Sequence, residues 1–339
     1  MAHFSRSEAE ILDLAQRGFP LAERPFDAIG STLGMSGADV LATVAGLKHR
    51  GVIRTIAGIF SGESLGYRLS LVALRVPATR VEAAAAVINS HPGVSHNYLR
   101  EHAYNLWFTL AEEDEECLRE SARVIARACA ADDCLLLRNE RLFKIGFMLP
   151  IGEPDGDAVS AAAQGSAQAG GLDTQERSAV VLLQTDLPLA ERPFDALAAG
   201  QGLSGAELIE AGRRLLAAGC MRRYAAVLRH VEAGYTHNAM TAWKTGGDAS
   251  LEERIAPFMQ ERAVTHLYLR TLYPGRWEYP LFAMVHARSA AELAGLLESL
   301  GRRSGLAERL VLRSLHEYKK EKVIYFSPAF RQWKRLNYD

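Results

Sequence analysis

Phe19-Pro20-Leu21-Ala22-Glu23-Arg24-Pro25-Phe26-Asp27-Ala28 returns as Leu187-Pro188-Leu189-Ala190-Glu191-Arg192-Pro193-Phe194-Asp195-Ala196, at an offset of 168 residues. Working outward, Val94-Ser95-His96-Asn97-Tyr98-Leu99-Arg100 returns as Val264-Thr265-His266-Leu267-Tyr268-Leu269-Arg270, offset 170. Leu137-Arg138 through Phe143-Lys144 then matches Leu312-Arg313 through Tyr318-Lys319, offset 175. Three matches in one order, with a slowly growing offset, mark a tandem duplication with small insertions. Between the copies, Pro150-Ile151-Gly152-Glu153-Pro154-Asp155-Gly156 and an Ala/Gly/Ser/Gln run to Gly171 hold few large apolar side chains to bury. Residues 150–171 therefore read as a flexible linker.

Within a copy, helical apolar spacing covers Ser5–Arg17 and Thr174–Asp186. Pro25 and Pro193 fit a first helical turn. Ser36 and Ser204 are N-cap candidates for helices that end at Gly51 and Gly219. Val52–Ile56 and Cys220–Leu228 follow as wing strands, which completes a winged helix-turn-helix. The next stretch reads as strand Leu69–Val76, helix Arg80–Asn89, strands Val94–Arg100 and Tyr104–Leu110, helix Asp114–Ala130 and strand Leu135–Phe147. Copy two follows with strands near Thr236–Trp243, Val264–Leu272, Leu281–His286 and Leu310–Phe326, and helices Leu251–Gln260 and Ala290–Arg303. The expected fold class is α+β, a tandem duplication of a winged helix-turn-helix plus a ferredoxin-like β-α-β-β-α-β sandwich. The expected domains are winged helices at 1–66 and 172–234 and ferredoxin-like domains at 67–149 and 235–339.

The chain has 39 Lys plus Arg against 40 Asp plus Glu, so no basic excess recommends a phosphate backbone as partner. No apolar run approaches the roughly 18 residues of a membrane span, and Met1–Arg6 lacks the apolar core of a signal peptide. Cys117, Cys129, Cys134 and Cys220 form neither a C-x-x-C pair nor a disulfide framework, which suits a reducing cytoplasm. Dinucleotide, P-loop, zinc-protease and nucleophile-elbow motifs are lacking, as are metal-spaced ligands.

Chemistry is expected on the paired strands. Strict alternation puts Thr265, Leu267 and Leu269 on one face and Val264, His266, Tyr268 and Arg270 on the other. Copy one carries the same row as His96, Tyr98 and Arg100. The leucine face should pack on helices, leaving the two His-x-Tyr-x-Arg rows to face each other between two sheets. A structural account, cross-sheet hydrogen bonding, stands beside this one. Copy two adds His230, His237, Asn238, Met240, Trp243, Trp277 and His286. Its last strand adds Arg313, His316, Lys319, Lys320 and Lys322, for which a solvated strand end is the plain alternative.

The two-part unit resembles the Lrp/AsnC architecture of transcription regulators. More specifically, His91-Pro92-Gly93-Val94-Ser95-His96-Asn97-Tyr98-Leu99-Arg100 with Tyr104-Asn105-Leu106-Trp107-Phe108-Thr109 resembles the siroheme decarboxylases. Ala226–His230 with Gly234-Tyr235 and Asn238-Ala239-Met240 does so too, as do Val264–Arg270, Tyr273-Pro274-Gly275 and Met284-Val285-His286. The likeness covers nearly the whole chain outside the linker and points to the fused NirDL type. It implies decarboxylation of two acetate side chains of siroheme to methyl groups, giving didecarboxysiroheme on the way to heme d1 or heme. No added cofactor or metal is implied, the siroheme iron belonging to the substrate. On this resemblance His96, Tyr98, His266 and Tyr268 are the catalytic candidates. Arg100, His230, His237, Arg270, Trp277, His286, Arg313 and Lys319 are the substrate-binding candidates. The expected partners are siroheme and, within the chain, the other half; dimerisation of the fused pair stays open. Neither membrane nor nucleic acid is expected.

The alternatives are an Lrp-type regulator and a tetrapyrrole sensor without turnover. Base readout uses the start of the recognition helix. Here that is Gly37, Ala38 and Asp39, and in copy two Gly205, Ala206 and Glu207, with an acid in each. Lys48, Arg50, Arg213 and Arg214 come late on their helices.

Overall fold

The computed structural model describes residues 4–145, 171–228, 237–246 and 250–338. The linker expected at 150–171 lies, apart from Gly171, outside the described residues. Copy one runs α1 (Arg6–Arg17), α2 (Pro25–Leu33), α3 (Gly37–His49), β1 (Ile53–Phe60), β2 (Arg68–Arg75), α4 (Val81–Ser90), β3 (Val94–Arg100), β4 (Leu106–Glu112), α5 (Glu115–Ala128) and β5 (Asp133–Ile145). Copy two runs α6 (Thr174–Leu183), α7 (Pro193–Ala198), α8 (Gly205–Ala217), β6 (Met221–Leu228), β7 (His237–Trp243), α9 (Leu251–Gln260), β8 (Val264–Arg270), β9 (Leu281–Ala287), α10 (Ala290–Ser304), β10 (Arg309–Leu312), β11 (Ser314–Lys320) and α11 (Pro328–Asn337).

The helix starts are chemically fixed. Ser5 with Glu8 and Asp173 with Glu176 form capping boxes on α1 and α6, and Ser36 and Ser204 cap α3 and α8. The chain bends by 103° between α2 and α3, within the range of a helix-turn-helix. The repeated Pro-Phe-Asp explains its own recurrence. A Cβ on Gly37 would sit 1.7 Å from the Asp27 Oδ1, and one on Gly205 would sit 1.9 Å from that of Asp195. Only glycine lets the second helix start against that carboxylate.

The two winged helices are one body. Strands β1 and β6 pair antiparallel, and residues of both copies share one apolar core. The repeated motif also meets its own copy: Arg24 pairs with Glu191 at 3.3 Å and Arg192 with Glu23 at 3.1 Å.

The remaining strands run in the order β10-β7-β9-β8-β5-β2-β4-β3-β11, all neighbours antiparallel. Strand β5 pairs with β2 through Asp133–Arg138 and with β8 through Asn139–Ile145, so it belongs to both halves. Copy two answers in kind, β10 pairing with β7 and β11 with β3 of copy one. This corrects the expectation of a single last strand from Leu310 to Phe326, because the chain breaks between Leu312 and Ser314 where it changes sheets. The helix-free faces meet, as expected, around buried Trp107, Trp277 and Phe282, with Leu71, Leu135 and Leu137 beside them. Helices α4 and α5 cover the outer face of copy one, and α9 and α10 that of copy two.

Helix α11 was not read from the sequence. Its Trp333 and Phe330 pack on copy one, and Lys334 reaches buried Glu112 at 3.0 Å. All four cysteines are free thiols, Cys129 and Cys220 buried. No single described helix is long and apolar enough to cross a membrane.

Candidate active site

A cavity of about 1450 Å³ runs from the space between the two sheets to the copy-two wing and to α10, and both His-x-Tyr-x-Arg rows line it. The rows match closely. The His96 and Tyr98 rings stack at 6.2 Å and 23°, and the Arg100 guanidinium lies 5.0 Å from the Tyr98 ring. The His266 and Tyr268 rings stack at 6.2 Å and 21°, and Arg270 lies 4.7 Å from the Tyr268 ring.

One part of the strand reading is corrected. Bulges between Val264 and His266, and between Val94 and Asn97, interrupt the pairing of β8 with β9 and of β3 with β4. Val264 therefore turns to the helix-side core with Leu267, while Thr265 joins His266 on the cavity. A bulge adds one residue and so shifts the alternation behind it. The hydroxyl brought in this way bonds the histidine. Thr265 Oγ1 lies 2.8 Å from His266 Nδ1, and Ser95 Oγ lies 2.9 Å from His96 Nδ1.

Arg100 is buried and Arg270 half-buried, and both hold backbone rather than acid. Arg100 donates from Nη1 to Leu312 O at 2.7 Å and to Ser314 Oγ at 3.0 Å, and Arg270 donates from Nη1 to Leu137 O at 2.9 Å. Each carbonyl belongs to a strand segment where the chain passes from one sheet to the other. The Nε of each is buried without a hydrogen-bond partner. No acidic side chain is paired with either arginine among the described residues. Burial pulls both guanidinium pKa values down to about 10, opposed only by the neighbouring tyrosine. A buried cation without a counter-ion is costly, and a bound carboxylate relieves that cost.

The same burial keeps the histidines neutral. Burial, then the charges of His286, Arg222, His96 and Arg270, pushes His266 down to about 4. His96 is lowered by burial and then by Lys320, with Glu317 opposing. Burial raises both tyrosines, and in copy one the carboxylate of Glu317, opposite Tyr98 in the strand pairing, adds to this.

The other expected residues divide. His237, His286 and Arg313 line the cavity. His230 lies outside the described residues. Trp277 is a correction: at 2% exposed it fills the core between the sheets, with Nε1 donating to Tyr279 O at 2.9 Å. Its loop folds back between the sheets, which strand periodicity does not show. Lys319 is a second correction. A register shift between Glu317 and Lys319 turns it to the helix side, where it donates to Asn89 O at 3.0 Å. Lys320, opposite His96 in the pairing, lines the cavity instead. Sequence reasoning also missed Arg223 on the copy-two wing, which lines the cavity and ties to Gln16 O of copy one. Only the docking of wing on sheet brings it there.

The late basic residues of the recognition helices are engaged within the chain. Lys48 pairs with Asp186 at 2.8 Å, Arg50 pairs with Glu8, and Arg213 donates to Leu21 O at 2.8 Å. Arg214 lies 3.8 Å from Glu176.

Comparison with known proteins agrees with this geometry. The siroheme decarboxylase NirDL-like HTH domain matches residues 8–54 and 176–222, and the AsnC-like ligand binding domain matches 64–144 and 232–319. The siroheme decarboxylase of Hydrogenobacter thermophilus is 37% identical over 328 residues, 96% of each chain. The siroheme decarboxylase NirDL subunit of Paracoccus denitrificans is 34% identical over 96% of this chain and 95% of its own. A solved structure of siroheme decarboxylase NirDL in co-complex with an iron-uroporphyrin III analogue superposes with a TM-score of 0.77, at 32% identity and 96% coverage of both chains. The duplicated architecture, the paired cavity rows and these likenesses agree: the chain belongs to the siroheme decarboxylase family.

Proposed function

We propose that the cavity between the sheets binds siroheme and that its side chains remove two acetate carboxyls as CO2, leaving methyl groups. The observation that carries this assignment of the site is the pair of arginines, Arg100 and Arg270, set on opposite halves with buried Nε atoms and no acidic partner among the described residues. Siroheme is a polycarboxylate, and guanidinium groups bind carboxylates with directed, charge-assisted hydrogen bonds. Arg313 and Lys320 add positive charge at the rim. His237 and His286 contribute polar contacts from copy two.

Losing CO2 leaves an electron pair on the methylene carbon, which the macrocycle delocalises, so the substrate is its own electron sink and no added cofactor is required. A positioned acid then supplies the proton that completes the methyl group. His266 or Tyr268 fills that role, with His96 and Tyr98 as the pseudo-symmetric pair. The product, didecarboxysiroheme, suits a route to heme d1 or heme. The four free thiols suit a reducing cytoplasm. The basic side chains tied up within the winged helices give the regulator reading no support.

The test is anaerobic incubation of the purified chain with siroheme, followed by mass spectrometry of the tetrapyrrole. Loss of two CO2 units is expected. Binding without mass loss would instead establish a sensor, and no binding would return the regulator reading to first place.

A further inference from the structure

The two histidines of the cavity differ in what stands behind them. In copy two, His266 Nδ1 is 2.8 Å from Thr265 Oγ1, Thr265 Oγ1 is 2.9 Å from His286 Nε2, and His286 Nδ1 is 2.8 Å from Asn238 Oδ1. In copy one, His96 Nδ1 reaches Ser95 Oγ, and Ser95 Oγ reaches Thr109 Oγ1 at 2.6 Å. Thr109 Oγ1 also accepts the His96 backbone N–H at 3.1 Å. The first chain joins two imidazoles through one hydroxyl, while the second ends on a hydroxyl.

This matters because a desolvated, neutral histidine is a poor acid. An imidazole that gives up Nε2–H with nothing arriving at Nδ1 becomes an imidazolate. We propose that Thr265 and His286 are positioning residues that make His266 the proton donor, by passing a proton to Nδ1 as Nε2–H is given to the substrate carbon. This rests on the siroheme decarboxylase reading above and assigns the protonation step to copy two.

The step balances. Before it, His286 is protonated on both nitrogens, Nδ1–H donating to Asn238 Oδ1 and Nε2–H to Thr265 Oγ1, while the Thr265 hydroxyl donates to His266 Nδ1. The carbon–carbon bond to the carboxylate breaks, CO2 leaves, and the electron pair takes the Nε2 proton of His266 to form the new C–H bond. The Thr265 proton moves to His266 Nδ1, and the His286 proton replaces it on Thr265. Afterwards His266 carries Nδ1–H, His286 is neutral, and the Thr265 hydroxyl donates to His286 Nε2. A proton from bulk solvent then adds to His266 Nε2, the His266 Nδ1 proton passes to Thr265 and the Thr265 proton to His286 Nε2, which restores the starting state. The groups facing His266 are His286 on β9, Asn238 and His237 on β7, Arg270 on its own strand, Arg222 from the wing and His96 from the opposite sheet. Among the described residues the carboxylates that line the cavity are Glu298 and Glu317, neither of them one of these groups.

The test uses the full chain with siroheme under anaerobic conditions. Dissociation constants are read from the absorbance of bound siroheme, and turnover by mass spectrometry across pH in H2O and D2O. Thr265→Val should bind siroheme within about threefold of the unchanged protein yet turn over about 30-fold or more slowly, within the usual range for acid–base catalysis. Thr265→Ser should restore turnover. His286→Gln should show a similar loss, and the double variant Thr265→Val/His286→Gln should be no slower than either single one, as for residues acting as a unit. The limb of the pH profile that reports His286 should vanish in both single variants. Thr265→Val at full speed, multiplicative effects, or loss of siroheme binding in place of turnover would each overturn the relay. An unchanged protein that releases no CO2 would instead overturn the activity on which the relay rests.

Discussion

The rows His96-Tyr98-Arg100 and His266-Tyr268-Arg270 have nearly the same ring stacking and the same arginine placement, yet their surroundings differ. Copy one sets its row against β11, where Lys320 stands opposite His96 and Glu317 opposite Tyr98. Copy two sets its row beside His286, with Arg222 of the wing acting on both His266 and Tyr268. On the proposed function, duplication kept the pieces that grip carboxylates on both sides. Divergence placed the polar connections of an acid on one side. On the proposed relay, a symmetric scaffold holds an asymmetric substrate while doing its proton chemistry from one half.

The largest expected effect comes from breaking the copy-two row. His266→Ala should lower turnover by about 10²–10⁴-fold, the usual contribution of a positioned acid, with siroheme binding retained. His96→Ala should cost turnover less. Turnover of His266→Ala at the unchanged rate would remove copy two's claim to the acid. Next come the arginines: Arg100→Leu and Arg270→Leu should each weaken siroheme binding by about 2–5 kcal/mol, as for truncating one member of a buried charge pair. Equal losses, measured by absorbance titration, would show that gripping is shared although chemistry is not.

Stability against pH sharpens the comparison further. His266 titrates near 4 in the folded chain against an ordinary 6.5, so the folded state resists protonation that the unfolded state accepts. The stability its neutral form contributes is present above pH 6.5 and is lost as pH falls toward 4. At about 1.4 kcal/mol per unit the loss is about 3 kcal/mol. Urea melts between these limits should show a flatter slope for His266→Gln. A smaller flattening is expected for His96→Gln, whose lowering is opposed by Glu317. An unchanged slope in His266→Gln would contradict its burial as a neutral group. The smallest effect tests the rim: Lys320→Ala should weaken siroheme binding by up to about 1 kcal/mol, the usual scale for an exposed charge, and Lys319→Ala should leave it unchanged. The reverse result would restore the sequence's choice of Lys319.

Much of the site was legible because duplication wrote it twice. Tyr98 and Arg100 align with Tyr268 and Arg270, and a two-residue period puts them on one face whichever strand they pair with. Trp277 and Lys319 were misjudged for a shared reason. Each depends on how a segment meets another part of the chain, one a loop folding back between sheets, the other a strand shifted in register across copies. Val264 and Thr265 exchanged faces because a bulge is a property of the pairing, and no pattern within seven residues announces it. Helix α11 follows a strand whose end the repeat did not mark, since copy one has no counterpart to Pro328–Asn337 among the described residues.

By itself the sequence determined the duplication, the order of helices and strands in each copy, and the two identical rows that point away from the helices. These follow from local physics: caps, apolar spacing and alternation act within a few residues. Only the tertiary structure decided that β5 and the β10–β11 segment each join both halves, that their carbonyls hold the two arginines, and that both arginine Nε atoms are buried with no acidic partner among the described residues. Burial and counter-ions are set by which distant segments meet, and that is fixed only when the two sheets close on one another.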